Sequence, residues 1–473
     1  MRSSCKIWLA TLLALLFLVT SVDALEIRGR VADLSMDEVV WTPQDFAGFY
    51  YDIDKDVGSE ALALRLSDVL GGVVASLRDS PPGIVYEANI QQVEALRDAE
   101  EGATYGKLTV SSIDSTTGKI VLDNRDNQII LSKNKRIELI PGLGIKTADQ
   151  DATADNPLRF YIYKEVTEPG TYELRGAVAS SVNGSFTWSP QNFAGFYYDL
   201  NKNIGTETLT LSPTTNGKNV AIGDKTGLDY NTTAQNKNFK FKPWGSYKII
   251  GFLGEPYFAA YSNEVTPNME AYGETVPFIA DRSKNDNLMT NEQLSKILID
   301  NDSVMLVKKG ESLKLKEGYE LVLKGVSSGG QVYLQLLKNG QVTDESILGP
   351  SIDNAMMADK TYYYRHDLGN TKDTVLIAVH FRSTYKDEEQ ALAAVDGLWQ
   401  ISDTPSPIKI DQQYGKMSIR TVDPTAFKIT MDNKDNQISL SRNMEVELMP
   451  SIYLRTDDNE PLNYYIYKTE TVT

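Results

Sequence analysis

Along most of the chain, hydrophobic positions recur every second residue, the period of a strand with one buried face. The clearest case is SLKLKEGYELVLKG from Ser312 to Gly325. Leu313 and Leu315, then Tyr319, Leu321 and Leu323, hold alternate positions on either side of Glu317-Gly318, which predicts a hairpin. In QVYLQLLKNGQV, Asn339-Gly340 sits where a tight type I′ turn would reverse the strand. The continuous apolar run VLIAVHF, Val375 to Phe381, predicts a strand covered on both faces. Two stretches have the helical period instead. Ile90 to Glu101 is one; in the other, Asn291 to Ile299, Leu294, Ile297 and Leu298 share a stripe. Short strands punctuated by Gly, Asn and Asp, with few helices, predict a mainly all-β fold of tandem β-sandwich modules.

The elements repeat. WTPQDFAGFYYDIDKDVGSE (41–60) and WSPQNFAGFYYDLNKNIGTE (188–207) agree at 13 of 20 positions, and the other seven are conservative exchanges. Each copy follows an Arg-Gly strand start, IRGRVA at Ile27 and LRGAVA at Leu174. A second pair, IVLDNRDNQIIL (120–131) and ITMDNKDNQISL (429–440), agrees at eight of twelve positions. Tyr-Gly-Lys precedes each member of that pair, and a closing strand follows, FYIYK at Phe160 and YYIYK at Tyr464. The chain therefore divides into a first unit, 26–168, and a second unit, 172–473, that share a beginning and an end. The second is expected to comprise two β subdomains, with 208–410 as the middle part that the first unit lacks.

Composition narrows the class of function. At 41% hydrophobic and 23% charged, the 473 residues are ordinary globular material. With 2 His and 1 Cys, few of the usual bases, nucleophiles and soft metal ligands are present, and a non-enzymatic protein with no catalytic residues is expected. Arg2 and Lys6, the apolar run from Ile7 to Val19 and the small residue Ala24 predict a secretory signal peptide over 1–24. The mature chain is then secreted to the cell surface. Its cleavage would remove Arg2, Lys6 and Asp23, taking the formal charge from −17 to −18, and would remove Cys5, leaving no disulfide framework. A charge of that size disfavours nucleic acid as a partner. Beyond Val19 no apolar run approaches a membrane span, so no transmembrane segment is expected in the mature chain.

Several residue groups invite a chemical reading. Asp52, Asp54, Asp56 and Glu60 recur at even spacing and would suit Ca2+, although Gly58 falls at the seventh position of that stretch and not at the sixth, where an EF-hand needs it. The alternative is a polar turn. In the second copy Asp199, Asn201, Asn203 and Glu207 carry two charges fewer. Trp41, Phe46, Phe49, Tyr50 and Tyr51, with Trp188, Phe193, Phe196, Tyr197 and Tyr198, would serve as a sugar platform or as core. The Asp123–Gln128 and Asp432–Gln437 segments read as hairpin tips more readily than as carboxylate pairs. His380 reads as a core histidine and His366 as a surface-loop residue. Asn183, Asn231 and Asn301 head Asn-X-Ser/Thr sequons, candidates for glycosylation in an exported chain.

The motif set RGAVA, WSPQNFAGFYYDLNKNIGTETL, GLDYNT, WGSYKIIGFLGEPYFAAY, LSKILIDNDS, GYELVL, TYYYRHDLG, VLIAVHF, GLWQIS and YGKMSI resembles the S-layer duplication-domain family of methanogenic archaea, the Methanosarcina-type surface-layer proteins. The resemblance covers the second unit almost end to end and the first at its two ends. It implies a secreted, structural envelope glycoprotein of tandem β-sandwich modules that associates with itself or other S-layer subunits in a sheet with small charged pores. The rival expectation is a cell-surface carbohydrate-binding or adhesion module. Against the family pattern the first unit is short in its middle. The chain also stops at Thr473, before the acidic tether and membrane helix that the pattern carries.

Overall fold

The computed structural model describes residues 24–89, 93, 96–216, 219–222 and 227–473. The expected signal peptide lies outside these residues but for Ala24, and the expected helix over 90–101 lies partly outside them. Antiparallel strands dominate, as the period-two pattern requires, with a few single-turn helices.

The two repeated units fold strand for strand alike. In the first, one sheet runs Leu25–Arg28, Arg159–Val166, Leu143–Thr147, Arg136–Ile140. The facing six-stranded sheet runs Thr104–Tyr105, Leu108–Asp114, Lys119–Asp123, Ile84–Asn89, Glu60–Arg65, Glu38–Trp41. In the second unit the same orders read Gly170–Arg175, Asn463–Val472, Ile452–Thr456, Glu445–Met449, and Gln413–Tyr414, Met417–Asp423, Lys428–Asp432, Leu228–Thr233, Glu207–Leu211, Phe186–Trp188. Inward side chains of the paired sheets make one apolar cluster per unit, around Trp41 and Phe160 in the first and Trp188 and Tyr464 in the second.

The units differ at one connection. Residues 90–103 join Ile84–Asn89 to Thr104–Tyr105, whereas residues 234–412 join Leu228–Thr233 to Gln413–Tyr414. Strands Glu207–Leu211 and Leu228–Thr233 pair within the repeated sandwich, so the chain leaves it after Thr233, not at 208. The inserted segment builds a nine-stranded sheet and a four-stranded one around Trp399, Tyr247, Phe258 and Leu321. Val375–Phe381 is buried throughout, flanked by Thr361–Leu368 and Ala391–Ile401 next to one edge of the larger sheet. The hairpins at Glu317-Gly318 and Asn339-Gly340 form where the pattern places them, with positive φ at all four residues.

Three local expectations are corrected. Asn291–Ile299 is not a helix: a single 3-10 turn over Leu288–Asn291 ends at Glu292 with φ 54°, and Gln293–Asn301 continues as a strand paired with Ala391–Ile401. Sheet pairing outweighs the helical stripe there, as it commonly does for β-branched residues. His366 lies half-buried on strand Thr361–Leu368 and not in a loop. The Asp-Asn blocks are not hairpin tips. Lys119–Asp123 belongs to the six-stranded sheet and Ile129–Leu131 to a separate three-stranded one, so the block is a corner at which the chain changes sheets.

An asparagine holds each corner. Asn124 is fully buried; its Oδ1 accepts from the Ile84 amide at 2.8 Å and its Nδ2 donates to the Leu77, Arg78 and Asn127 carbonyls at 2.8–3.1 Å. Asn433 repeats the device, accepting from the Leu228 amide at 2.9 Å and donating to the Asn436 carbonyl at 3.2 Å. Removing either side chain strands buried backbone groups, which costs far more than an ordinary hydrogen bond. Asn124→Ala and Asn433→Ala are each expected to lower unfolding stability by about 2–4 kcal/mol. Urea denaturation checks this, and a loss under about 0.5 kcal/mol, the range of ordinary surface changes, would exclude the role.

Candidate functional site: the contact between the repeats

The repeated WxPQxFAGFYYD segment folds into the same compact turn in both units. The indole N–H of Trp41 donates to the Arg30 carbonyl at 2.9 Å, and that of Trp188 to the Ala177 carbonyl at 2.8 Å. Asp45 accepts from the Thr42 amide and Asn192 from the Ser189 amide, both at 2.7 Å. Phe46 and Phe49 stack edge to face at 4.7 Å, as Phe193 and Phe196 do at 4.8 Å. A Cβ on Gly48 or Gly195 would fall 2.3 or 2.2 Å from the ring of Phe46 or Phe193, so only glycine closes this turn. Trp41, Phe46, Phe49, Trp188, Phe193 and Phe196 are therefore core, while Tyr51, Tyr197 and Tyr198 are half-buried and Tyr50 is exposed.

The outer edge of each turn receives the other unit. Arg28 donates to the Phe193 carbonyl at 3.2 Å, and its counterpart Arg175 donates to the Phe46 carbonyl at 3.2 Å and to that of Pro43. Arg28 lies between the rings of Tyr161 and Tyr198, at 5.8 and 5.2 Å; Arg175 lies between Tyr465 and Tyr51, at 5.6 and 5.0 Å. The Val31 amide donates to the Gln191 carbonyl at 3.0 Å, and the Val178 amide to that of Gln44 at 2.8 Å. Asn201 Oδ1 accepts from the Asp149 amide at 2.7 Å, and Asp54 Oδ1 from the Asp458 amide at 3.0 Å. Leu200 is buried in the first unit's cluster, and Ile53 packs with Tyr465 and Tyr467 of the second. Most of these contacts have a mirror, the signature of a two-fold interface formed within one chain, while Arg159, which donates to the Leu200 and Asn201 carbonyls at 3.2 and 3.3 Å, adds to one side only. Burial pulls both guanidinium pKa values down, and the ring faces and carbonyls oppose that loss.

The four carboxylates considered for Ca2+ are turned to separate partners. Asp52 pairs with Lys55 at 2.7 Å, which holds its carboxyl below the usual range. Asp54 serves the interface, Asp56 accepts from Tyr51 at 2.7 Å and Gln44 at 2.9 Å, and Glu60 accepts from Tyr86 at 2.5 Å. Among the described residues no group of three or more Asp, Glu, His or Cys is placed to hold a metal ion. Of the sequons, Asn183 is exposed at the end of a 3-10 turn. Asn231 is half-buried in mid-sheet, and Asn301 is half-buried with its side chain accepting from the Ser303 amide at 2.9 Å. His380 is buried, as expected of a core histidine, and bonds Asp396.

A second joint ties the inserted segment to the second sandwich. Glu207 is fully buried and accepts from Tyr230 Oη and the Gly254 amide at 2.8 Å, and from the Tyr197 amide at 3.3 Å. Gly254 has φ 81°, and a Cβ there would meet the Gly195 carbonyl at 2.4 Å. Burial pushes the Glu207 carboxyl up to about 7 despite those donors.

Two expectations follow. Because Arg28 and Arg175 bond only across the interface or to neighbours of it, the pair Arg28→Ala with Arg175→Ala should lower stability by about 3–6 kcal/mol and enlarge the radius of gyration in small-angle scattering. An unchanged scattering profile and denaturation midpoint would remove the interface from the argument. For Glu207 the folded pKa lies above the unfolded one, so folding favours the protonated form. That stability is complete below about 4.5 and is lost as pH rises through about 7. Wild type should therefore lose roughly 3 kcal/mol between pH 4.5 and pH 8 that Glu207→Gln does not lose, read as the difference between their melting profiles.

The family model described as S-layer protein matches residues 31–95 and 178–458. The Major S-layer protein of Methanosarcina acetivorans is 30% identical over 432 residues, 89% of this chain and 57% of that protein. Those of Methanosarcina mazei and Methanosarcina barkeri are 29% and 28% identical over 89% and 94% of this chain. The chain spans somewhat under three fifths of the length of these relatives, 57–59%. With the model matched on both repeated units and on the segment inserted into the second, this chain belongs to the S-layer protein family.

Proposed function

We propose that the protein is a structural, non-enzymatic component of a cell-surface layer, secreted and assembled side by side with copies of itself or related subunits. The observation that carries this reading is the reciprocal contact of the two sandwiches. It joins the duplicated chain into one block, which is what a tiling unit requires. The family membership and the curated relatives, each named Major S-layer protein, support it. Exposed apolar residues also lie on an unpaired sheet edge. Strand Gln341–Leu348 closes the four-stranded sheet and presents Val342 at 51% and Ile347 at 66% exposure. Such an edge in a monomeric protein invites pairing with another chain. The acidic surplus suits a barrier: within about 8 Å of the wall, at physiological salt, a pore in such a sheet repels anions. Among the described residues no helix is long and apolar enough to cross a membrane.

Electron microscopy of envelopes from cells making the protein tests the reading. The expected result is an ordered two-dimensional array that contains this chain and weakens when Val342→Lys and Ile347→Lys are introduced together. Recovery of the protein only in the medium, with no array containing it, would overturn the proposal.

A further inference from the structure

The inserted segment contains a cavity of about 600 Å3 that neither the interface nor the lattice reading uses. It opens beside the short helices Pro267–Ala271, Phe278–Arg282 and Met357–Lys360, and its wall includes His380 and Asp396 of the neighbouring strands Thr371–Lys386 and Ala391–Ile401. Three features of its lining bear on what it could hold. The half-buried Lys360 and the exposed Arg382 line it, and neither side chain has an ion pair or hydrogen bond with any described residue. Arg282 also lines it; its guanidinium is 3.8 Å from Asp281, and its buried Nε–H has no hydrogen-bond partner. Beside these cations stand aromatic and acceptor groups: Tyr272, two-thirds exposed, with Phe241, Glu274 and Asp281.

Lys360, Arg382 and Arg282 line the same cavity as the carboxylates of Glu274, Asp281 and Asp396, and among the described residues the one close approach between the two sets is that of Arg282 to Asp281. A buried donor without a partner costs stability unless something meets it. The floor is rigid: His380 is held by Asp396 and by the Phe241 ring stacked on it at 4.3 Å. A ligand that satisfies all the groups needs one anionic end for Lys360, Arg382 and Arg282. It also needs hydroxyls for Glu274 and Asp281, and a C–H face for Tyr272. We infer that this cavity binds a monosaccharide carrying a carboxylate or phosphate, free or at the end of a glycan. This goes beyond the structural role: a subunit could tile without binding sugar, and the site could bind sugar in an isolated subunit.

Isothermal titration of the full chain with glucuronate, glucose 6-phosphate, glucose and inorganic phosphate tests it. The two anionic sugars are expected to bind at least about tenfold more tightly than either glucose or inorganic phosphate, since each lacks one half of the recognised chemistry. Lys360→Gln with Arg382→Gln should weaken the anionic sugars by about tenfold or more. Tyr272→Ala, at an exposed position that packing does not need, should weaken the sugars and leave inorganic phosphate unchanged. Equal binding of glucose and its anionic forms, binding of phosphate as tight as that of the sugars, or unchanged affinity in the charge variant with an unchanged melting temperature would each overturn the assignment. So would no heat from either anionic sugar at millimolar concentration. These outcomes leave array formation untouched and are read independently of it.

Discussion

A guanidinium removed from water must find acceptors, and for Arg28 and Arg175 those acceptors lie largely in the other repeat. Each arginine ends the first strand of its own sandwich, bonds a carbonyl of the opposite FAGFYY turn and is sandwiched by one tyrosine from each unit. Neither could be buried this way in a lone sandwich without leaving its charge uncompensated, which costs several kcal/mol. Duplication solves the problem automatically. A surface that offers both an arginine and the matching turn is self-complementary about a two-fold axis, and a tandem repeat supplies the second copy at high effective concentration.

The same logic explains why one sandwich tolerates a large insertion and the other a short connection. In both, the chain leaves after the strand that pairs with the Asp-Asn strand, and the neighbouring strands are already fixed to one another. In the second unit the Ala234 amide donates to the Phe427 carbonyl at 2.9 Å, closing the exit against the same sheet. Loop length at such a point adds only a slowly growing entropy. What changes is the solvent. Glu60 remains half-buried beside Tyr86, whereas the inserted hairpin with Gly254 seals Glu207 from water.

Much of the architecture was legible because period two and turn chemistry are local. The duplication, the hairpins at Glu317-Gly318 and Asn339-Gly340 and the buried Val375–Phe381 strand all follow from spacing alone. What failed was whatever depended on a distant partner. Gln293–Asn301 carries a helical stripe, yet pairing with Ala391–Ile401 makes it a strand, and the Asp-Asn blocks look like hairpin tips until their flanking strands are seen in different sheets. For the carboxylates 52, 54, 56 and 60 the sequence shows an even spacing but not the separate partners, Lys55, Asp458, Tyr51 and Tyr86, that each takes in the structure. The interface arginines were the residues missed. Their signal was present as an Arg-Gly pair repeated ahead of both WxPQxFAGFYYD segments, which the structure places at the ends of two strands, and it needed only the question of where a repeated charge on such a strand finds its acceptors.

The distribution of positive charge completes the picture. Arg136 joins Glu26 to Glu165, while at the corresponding place in the second unit Arg455 joins Glu173 to Glu445. The two copies exchange signs at single positions, Arg136 for Glu445, and keep a compensated cluster. Lys237 is held by Asp199 and Lys468 by Glu255 and Glu470, each with its ammonium largely out of water. At these positions cations are drawn into joints between strands and between units. Lys360 and Arg382, by contrast, line the inserted segment's cavity with no compensating partner among the described residues.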